Sequence, residues 1–182
     1  MNYIIYDLEA TCWQGSPPGL IQEIIEIGAV RLNDYAEETG SYNRFVKPIL
    51  NPFLSPFCKD LTSIAQEDID RASTFNKVVV EFQDWIGLYE DDDYCLCSWG
   101  SFDQKILVSD CKLHRLEYDW VAPHINLKQQ YQQMMRLHRP CGLKSAVKRE
   151  GMEFLGIHHR GISDAENLAR IFVKHFGEWR IS

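Results

Sequence analysis

Asp7 and Glu9 stand two residues apart in a stretch that begins Asn-Tyr-Ile-Ile-Tyr-Asp-Leu at residue 2. A strand's period of two puts both carboxylates on one face, and like charges a few ångströms apart call for a cation. Asp103 and Asp164 each follow a residue that fits a helix N-cap, Ser101 with Gln104 three positions on and Ser163 with Glu166. Either aspartate alone is most simply a favourable anion at a helix N-terminus, worth about 0.3–1 kcal/mol. Two of them with the strand pair make four hard oxygen donors on different elements. That set suits Mg²⁺ or Mn²⁺ rather than zinc, and two such ions could serve a phosphodiester reaction by stabilising its attacking and leaving oxygens. Attack by water also needs a proton acceptor, and a histidine titrating near neutrality can be one. His158 and His159, between Gly156 and Gly161, have that context, whereas His114, His124, His138 and His175 do not.

These groups must be held by strands and helices. Residues 2–8, 23–32 and 41–46 read as strands rich in β-branched and aromatic residues, the first two separated by a Gly/Pro-marked loop. A short helix is expected around 60–71. A longer one follows, with Phe75, Val78, Val79, Phe82, Trp85, Ile86 and Tyr89 forming an apolar stripe for the core. Residues 94–99 read as a strand, 102–113 as a helix, 121–125 as a weak strand, and 126–136, 142–150 and 164–176 as helices. Three strands followed by alternating helices and strands imply an α/β layer fold, with a mixed sheet that starts as an antiparallel meander.

The chain has 182 residues, the length of one ordinary domain, and its 45% hydrophobic and 25% charged content excludes a disordered or collagenous chain. A single domain over 1–182 is the expectation. No apolar run approaches the roughly 18–20 residues of a membrane span, and the start carries Asp7 and Glu9 with no basic flank, unlike a signal peptide. An intracellular, cytoplasmic location without membrane attachment follows. Six scattered cysteines without a Cys-x-x-Cys pair read as reduced core thiols. The net charge of −7 disfavours a polyanion partner in sum, but residues 120–149 hold six basic residues and no carboxylate. Lys128, Arg136, Arg139, Lys144, Lys148 and Arg149 could track a phosphate backbone or simply form a solvated face. Lys144, Lys148 and Arg149 share one helix and are the candidate backbone contacts. The acidic run Glu90 to Asp93 reads as a solvated turn. Trp13 and Trp99 could stack on a base or pack in the core.

Five segments occur in order: Asp7-Leu8-Glu9-Ala10-Thr11-Cys12, Glu23-Ile24-Ile25-Glu26-Ile27-Gly28, Leu61-Thr62-Ser63-Ile64, Trp99-Gly100-Ser101-Phe102-Asp103 and His159-Arg160-Gly161-Ile162-Ser163-Asp164-Ala165. Together they resemble the DEDDh 3′-to-5′ exonucleases, and most the Eri-type branch (enhanced RNA interference, or three-prime histone mRNA, exonucleases), from Asp7 to about Val173. The resemblance implies an RNase H-like α/β fold, with a central five-stranded mixed sheet flanked by helices. It implies two Mg²⁺ or Mn²⁺ ions on Asp7, Glu9, Asp103 and Asp164, with Glu9 among the catalytic residues and His159 as general base. The family's five-residue spacing from histidine to aspartate selects His159 and leaves His158 as an exposed loop residue. Glu9, Ala10, Thr11 and His159 would meet the terminal nucleotide of a nucleic acid with a free 3′ end, RNA by the branch similarity. Some members of that branch carry an extra N-terminal nucleic-acid-binding module, and none is expected from this sequence, so their particular RNA targets do not carry over. Two other readings remain, a DNA-acting proofreading-type exonuclease and a binding module that has lost its chemistry.

Overall fold

The computed structural model describes residues 1–15, 17–90 and 93–181. Asp91 and Asp92, the middle of the acidic run, lie outside the described residues. The strands β1 (Asn2–Ala10), β2 (Ile24–Leu32) and β3 (Glu38–Lys47) form the antiparallel meander. The helices α1 (Pro56–Thr62) and α2 (Gln66–Arg71), the strand β4 (Ser73–Thr74) and the helix α3 (Phe75–Trp85) follow. Then come β5 (Tyr94–Ser98), α4 (Phe102–Leu113), β6 (His124–Asn126), α5 (Leu127–Met134), α6 (Leu143–Arg149) and α7 (Gly161–Lys174). The sheet order is β4-β3-β2-β1-β5-β6, with β5 parallel to both β1 and β6. The five expected strands are therefore joined by a sixth, a two-residue edge strand parallel to β3.

β1 lies near the centre and is buried on both faces, as its apolar run requires. Its even positions, Ile4, Tyr6 and Leu8, pack with Phe75, Val79, Phe82 and Leu107 under α3 and α4. Its odd positions Tyr3 and Ile5 pack with Leu168, Ile171 and Phe172 of α7 and with Ala146 and Val147 of α6. The same alternation carries Asp7 and Glu9 to the α7 side. No helix among the described residues is long and apolar enough to cross a membrane. All six cysteines are free thiols.

Four local expectations need correction. The helix expected at 60–71 is two short ones, broken where Ser63 takes a left-handed φ of 57°. The apolar stripe of α3 holds as far as Ile86, but Tyr89 lies past the helix end and is 75% exposed. Ser101 precedes α4 as expected, but its backbone is not extended and its side chain caps nothing, while Gln104 donates to the Val121 carbonyl. The last helix begins at Gly161 rather than 164, so Ser163 sits inside its first turn. The cap there is tertiary, for the buried Glu26 carboxylate of β2 accepts the Gly161 N–H at 2.9 Å.

Candidate active site

The pairing of β1 with β5 ends at Ile5 and Cys97, so the last residues of β1 run on beyond the neighbouring strand. Into that gap comes α4, whose Asp103 Oδ1 accepts the Leu8 N–H at 3.1 Å. On the other edge Glu9 pairs with Glu26 and Asp7 with Gly28, with a bulge after Glu9. Glu26 is fully buried and takes a bidentate ion pair from Arg160, at 3.0 and 3.1 Å, besides the Gly161 N–H. Arg160 also lies over the Phe45 ring.

Gly28 completes the joint between sheet and helix. A Cβ there would stand 2.0 Å from the Gly161 carbonyl carbon and the Ile162 nitrogen, so only glycine lets the start of α7 rest on β2. Gly28→Ala should therefore destabilise the protein by about 1–3 kcal/mol, the usual cost of overpacking a core. It should also weaken divalent binding, because α7 carries Asp164. Denaturant melts and Mn²⁺ titration check both effects, and a fully stable variant would contradict the close approach. Glu26, Gly28, Arg160 and Gly161 all fall in the quoted sequence segments. Their roles depend on a cross-strand register that no local pattern reports, although Glu26, a carboxylate flanked by isoleucines in β2, was a signal.

Asp7, Glu9, Ala10, Asp103, His158, His159 and Asp164 line one cleft of about 420 Å³, with Leu61, Trp99 and Phe102 also at its walls. One oxygen each from Asp7, Glu9 and Asp164 lie within 4.8 Å of one another. Asp103 stands outside this tight group and has one oxygen engaged by Leu8. Burial and mutual repulsion push these carboxyls up: Asp7 well above its ordinary value, Glu9 to about 8, and Asp103 and Asp164 to about 6. Asp164 is 4% exposed, and its Oδ1 has no hydrogen-bond partner. Crowded, buried, hard oxygen donors with an orphaned atom fit a divalent metal ion.

Metal-free protein should therefore lose stability as pH rises. A carboxyl whose folded pKa lies above its unfolded value stabilises only while protonated, so its contribution is lost as pH passes through the folded value. In EDTA the melting temperature should fall between about pH 5 and about pH 8, and Asp7→Asn should raise it at the upper end. A variant melting below wild type at that pH would count against the crowding.

The segment before α7 is pinned rather than loose. Asn167 exchanges hydrogen bonds with both backbone groups of Leu155, and Ser163 Oγ accepts the Ile157 N–H at 3.3 Å. His159 has a left-handed φ of 65°, and its backbone N–H donates to Asp164 Oδ2 at 3.2 Å. His158 is not the exposed residue expected. Its side chain is 28% exposed, with Nδ1 at 3.4 Å from Asp164 Oδ2, and its ring stacks on His159 at 4.0 Å and on Phe154 at 5.2 Å. Tight pinning over α7 folds it inward. Burial lowers the pKa of both histidines, with Lys144 adding to the effect and His158 acting on His159.

Thr11 is buried and turned away, its hydroxyl accepting the Glu23 N–H, and it is not among the cleft-lining residues. Of the two roles weighed for it, Trp99 has the packing one, its Nε1 donating to the Cys141 carbonyl and its ring lying against Tyr131, and it also lines the cleft. Trp13 is half-buried and outside the cleft lining. Lys144, Lys148 and Arg149 are all exposed on α6, and the Gly142-Leu143 start of that helix forms part of the cleft wall.

Comparison with known proteins bears on the family and the fold. The family described as Exonuclease (RNase_T) matches residues 4–172. The human 3′-5′ exoribonuclease 1 is 38% identical over 181 residues, covering 95% of this chain and 52% of its own length. The chain thus spans about half the length of the curated relatives it matches. The nuclease domain of 3′hExo, a DEDDh family member solved bound to rAMP, superposes with a TM-score of 0.92. It is 36% identical, and the alignment covers 100% of this chain and 96% of that one. A 3′-exonuclease solved in a study of histone mRNA stem-loop recognition also gives 0.92 at 35% identity, covering 99% and 84%.

Proposed function

The chain belongs to this exonuclease family, of DEDDh type and RNase H-like fold, and from that premise we propose that it removes nucleotides from the 3′ end of RNA by metal-dependent hydrolysis. The observation that carries the proposal is the convergence of three carboxylate oxygens within 4.8 Å, beside His159, in one cleft. Asp7, Glu9 and Asp164 would hold two Mg²⁺ or Mn²⁺ ions, with Asp103 contributing its remaining oxygen. Bound there, the ions supply positive charge that stabilises the attacking and leaving oxygens of the phosphodiester.

The rest falls to the chain's own groups. His159 accepts the proton of the attacking water at a ring nitrogen, and its depressed pKa keeps that nitrogen free at neutral pH. The hydrogen bond from its backbone to Asp164 fixes the histidine relative to the carboxylates. Ala10 and Glu9 at the cleft wall would meet the terminal nucleotide, while Thr11 supports that wall through Glu23. RNA is favoured by the relatives, named as exoribonucleases and solved with rAMP.

Labelled RNA and DNA oligonucleotides with free or blocked 3′ ends, incubated with Mg²⁺ or EDTA, test the proposal. Stepwise shortening of 3′-free RNA with Mg²⁺, and none in EDTA, is expected. Equal degradation of 3′-blocked RNA would overturn the polarity, and a preference for DNA would overturn the substrate.

The exposed basic face of α6 should govern affinity rather than rate. With Ca²⁺ replacing Mg²⁺, neutralising Lys144, Lys148 and Arg149 together should reduce the slope of log K against log salt. The reduction should reach up to about 0.7 for each lost single-strand phosphate contact. Turnover at saturating RNA should barely change, because such contacts position the strand. An unaltered salt slope would make this stretch a solvated face.

A further inference from the structure

His158 lines the cleft, yet the hydrolytic mechanism leaves it unused. Its Nδ1 is buried without a hydrogen-bond partner, as is Oδ1 of the 4%-exposed Asp164. One ligand atom each from His158, His159 and Asp164 lie within 4.8 Å of one another, a second group that shares only Asp164 with the all-oxygen one. Its donor chemistry differs. Two imidazole nitrogens and one carboxylate oxygen suit a borderline-soft transition ion, whereas Mg²⁺ is drawn to oxygen alone.

The spacing also suits such an ion. Tetrahedral zinc with N and O ligands at about 2.0–2.1 Å sets neighbouring donors about 3.3–3.4 Å apart. His158 Nδ1 and Asp164 Oδ2 are 3.4 Å apart in the structure. The rings of His158 and His159 are stacked, with 25° between their planes, so one must turn for both lone pairs to converge. The three donors would leave a fourth position open to the cleft.

We propose that His158, His159 and Asp164 form a binding site for zinc, distinct in donor set from the oxygen site for the hard catalytic ions. Zinc there occupies the lone pair with which His159 accepts a proton, so it is a reversible inhibitor of hydrolysis. This inhibitory consequence rests on His159 being the general base, whereas the binding itself does not.

Calorimetric titration of Zn²⁺ into the full chain in excess Mg²⁺, without substrate, tests the site. Wild type should bind one Zn²⁺. His158→Ala and His158→Gln should each weaken that binding about tenfold or more, since losing even an outer-sphere partner of a metal ligand costs 10–100-fold. Unchanged affinity in both variants would overturn the site, with melting curves run alongside to check that both remain folded. In a parallel cleavage assay, a Zn²⁺ concentration that inhibits wild type should spare His158→Ala in Mg²⁺. Equal inhibition of the two would overturn the link to His159. Because the calorimetry involves no cleavage, its result is separable from any failure of the exonuclease reading.

Discussion

Asp7→Ala, Glu9→Ala and Asp164→Ala should each reduce Mg²⁺-dependent cleavage to background, a loss on the order of 10³-fold or more, while the protein stays folded. The magnitude follows from the several kcal/mol that bound cations supply to the charge of a phosphoryl transition state, at 1.36 kcal/mol per tenfold. On the proposed mechanism the three oxygens within 4.8 Å act as one site, so losing any one of them should disable the rest. The fold should survive because these carboxylates repel one another, and burial raises their pKa values.

Asp103→Ala is different in kind. It should lose activity and also about 1–3 kcal/mol of stability, because the Leu8 N–H would be left unpaired in the interior. Single-turnover rates over a Mg²⁺ series, with denaturant melts alongside, separate the two effects. A variant that kept wild-type turnover at saturating Mg²⁺ would remove that residue from the metal site.

The second large effect is at the histidine pair. His159→Ala should slow the chemical step by about 10²–10⁴, the scale of a positioned acid–base group, and His158→Ala should change it little. The acid limb of the wild-type rate profile should lie below the ordinary imidazole value, because burial, His158 and Lys144 all disfavour the protonated ring. The structure makes this a demanding comparison, since His158 also approaches Asp164, its Nδ1 standing 3.4 Å from Oδ2. If His158→Ala proved the more damaging change, the proton acceptor would be assigned to the wrong ring.

Much of this site was legible in the linear chain because the relevant rules are local. The two-residue period of a strand by itself places Asp7 and Glu9 on one face, and β1 has that alternation, with Tyr3 and Ile5 under α7 and Ile4, Tyr6 and Leu8 under α3 and α4. The apolar stripe from Phe75 to Ile86 and the 102–113 helix follow from side-chain periodicity in the same way. The order of the five motif segments carried the family resemblance, and the family's five-residue spacing to Asp164 carried the choice of His159 as the proposed general base. What the linear chain could not determine are the contacts set by pairing register and close approach. Glu26 caps α7 from 135 residues away, which moves the helix start to Gly161 and takes Ser163 out of the capping role read for it. Gly28 matters because it opposes Gly161, and Asp103 has one oxygen engaged because β5 stops short beside Leu8. His158 turns inward because Ser163 and Asn167 pin the preceding loop onto α7. Each of these depends on where two distant segments meet, and local periodicity has no information about that distance.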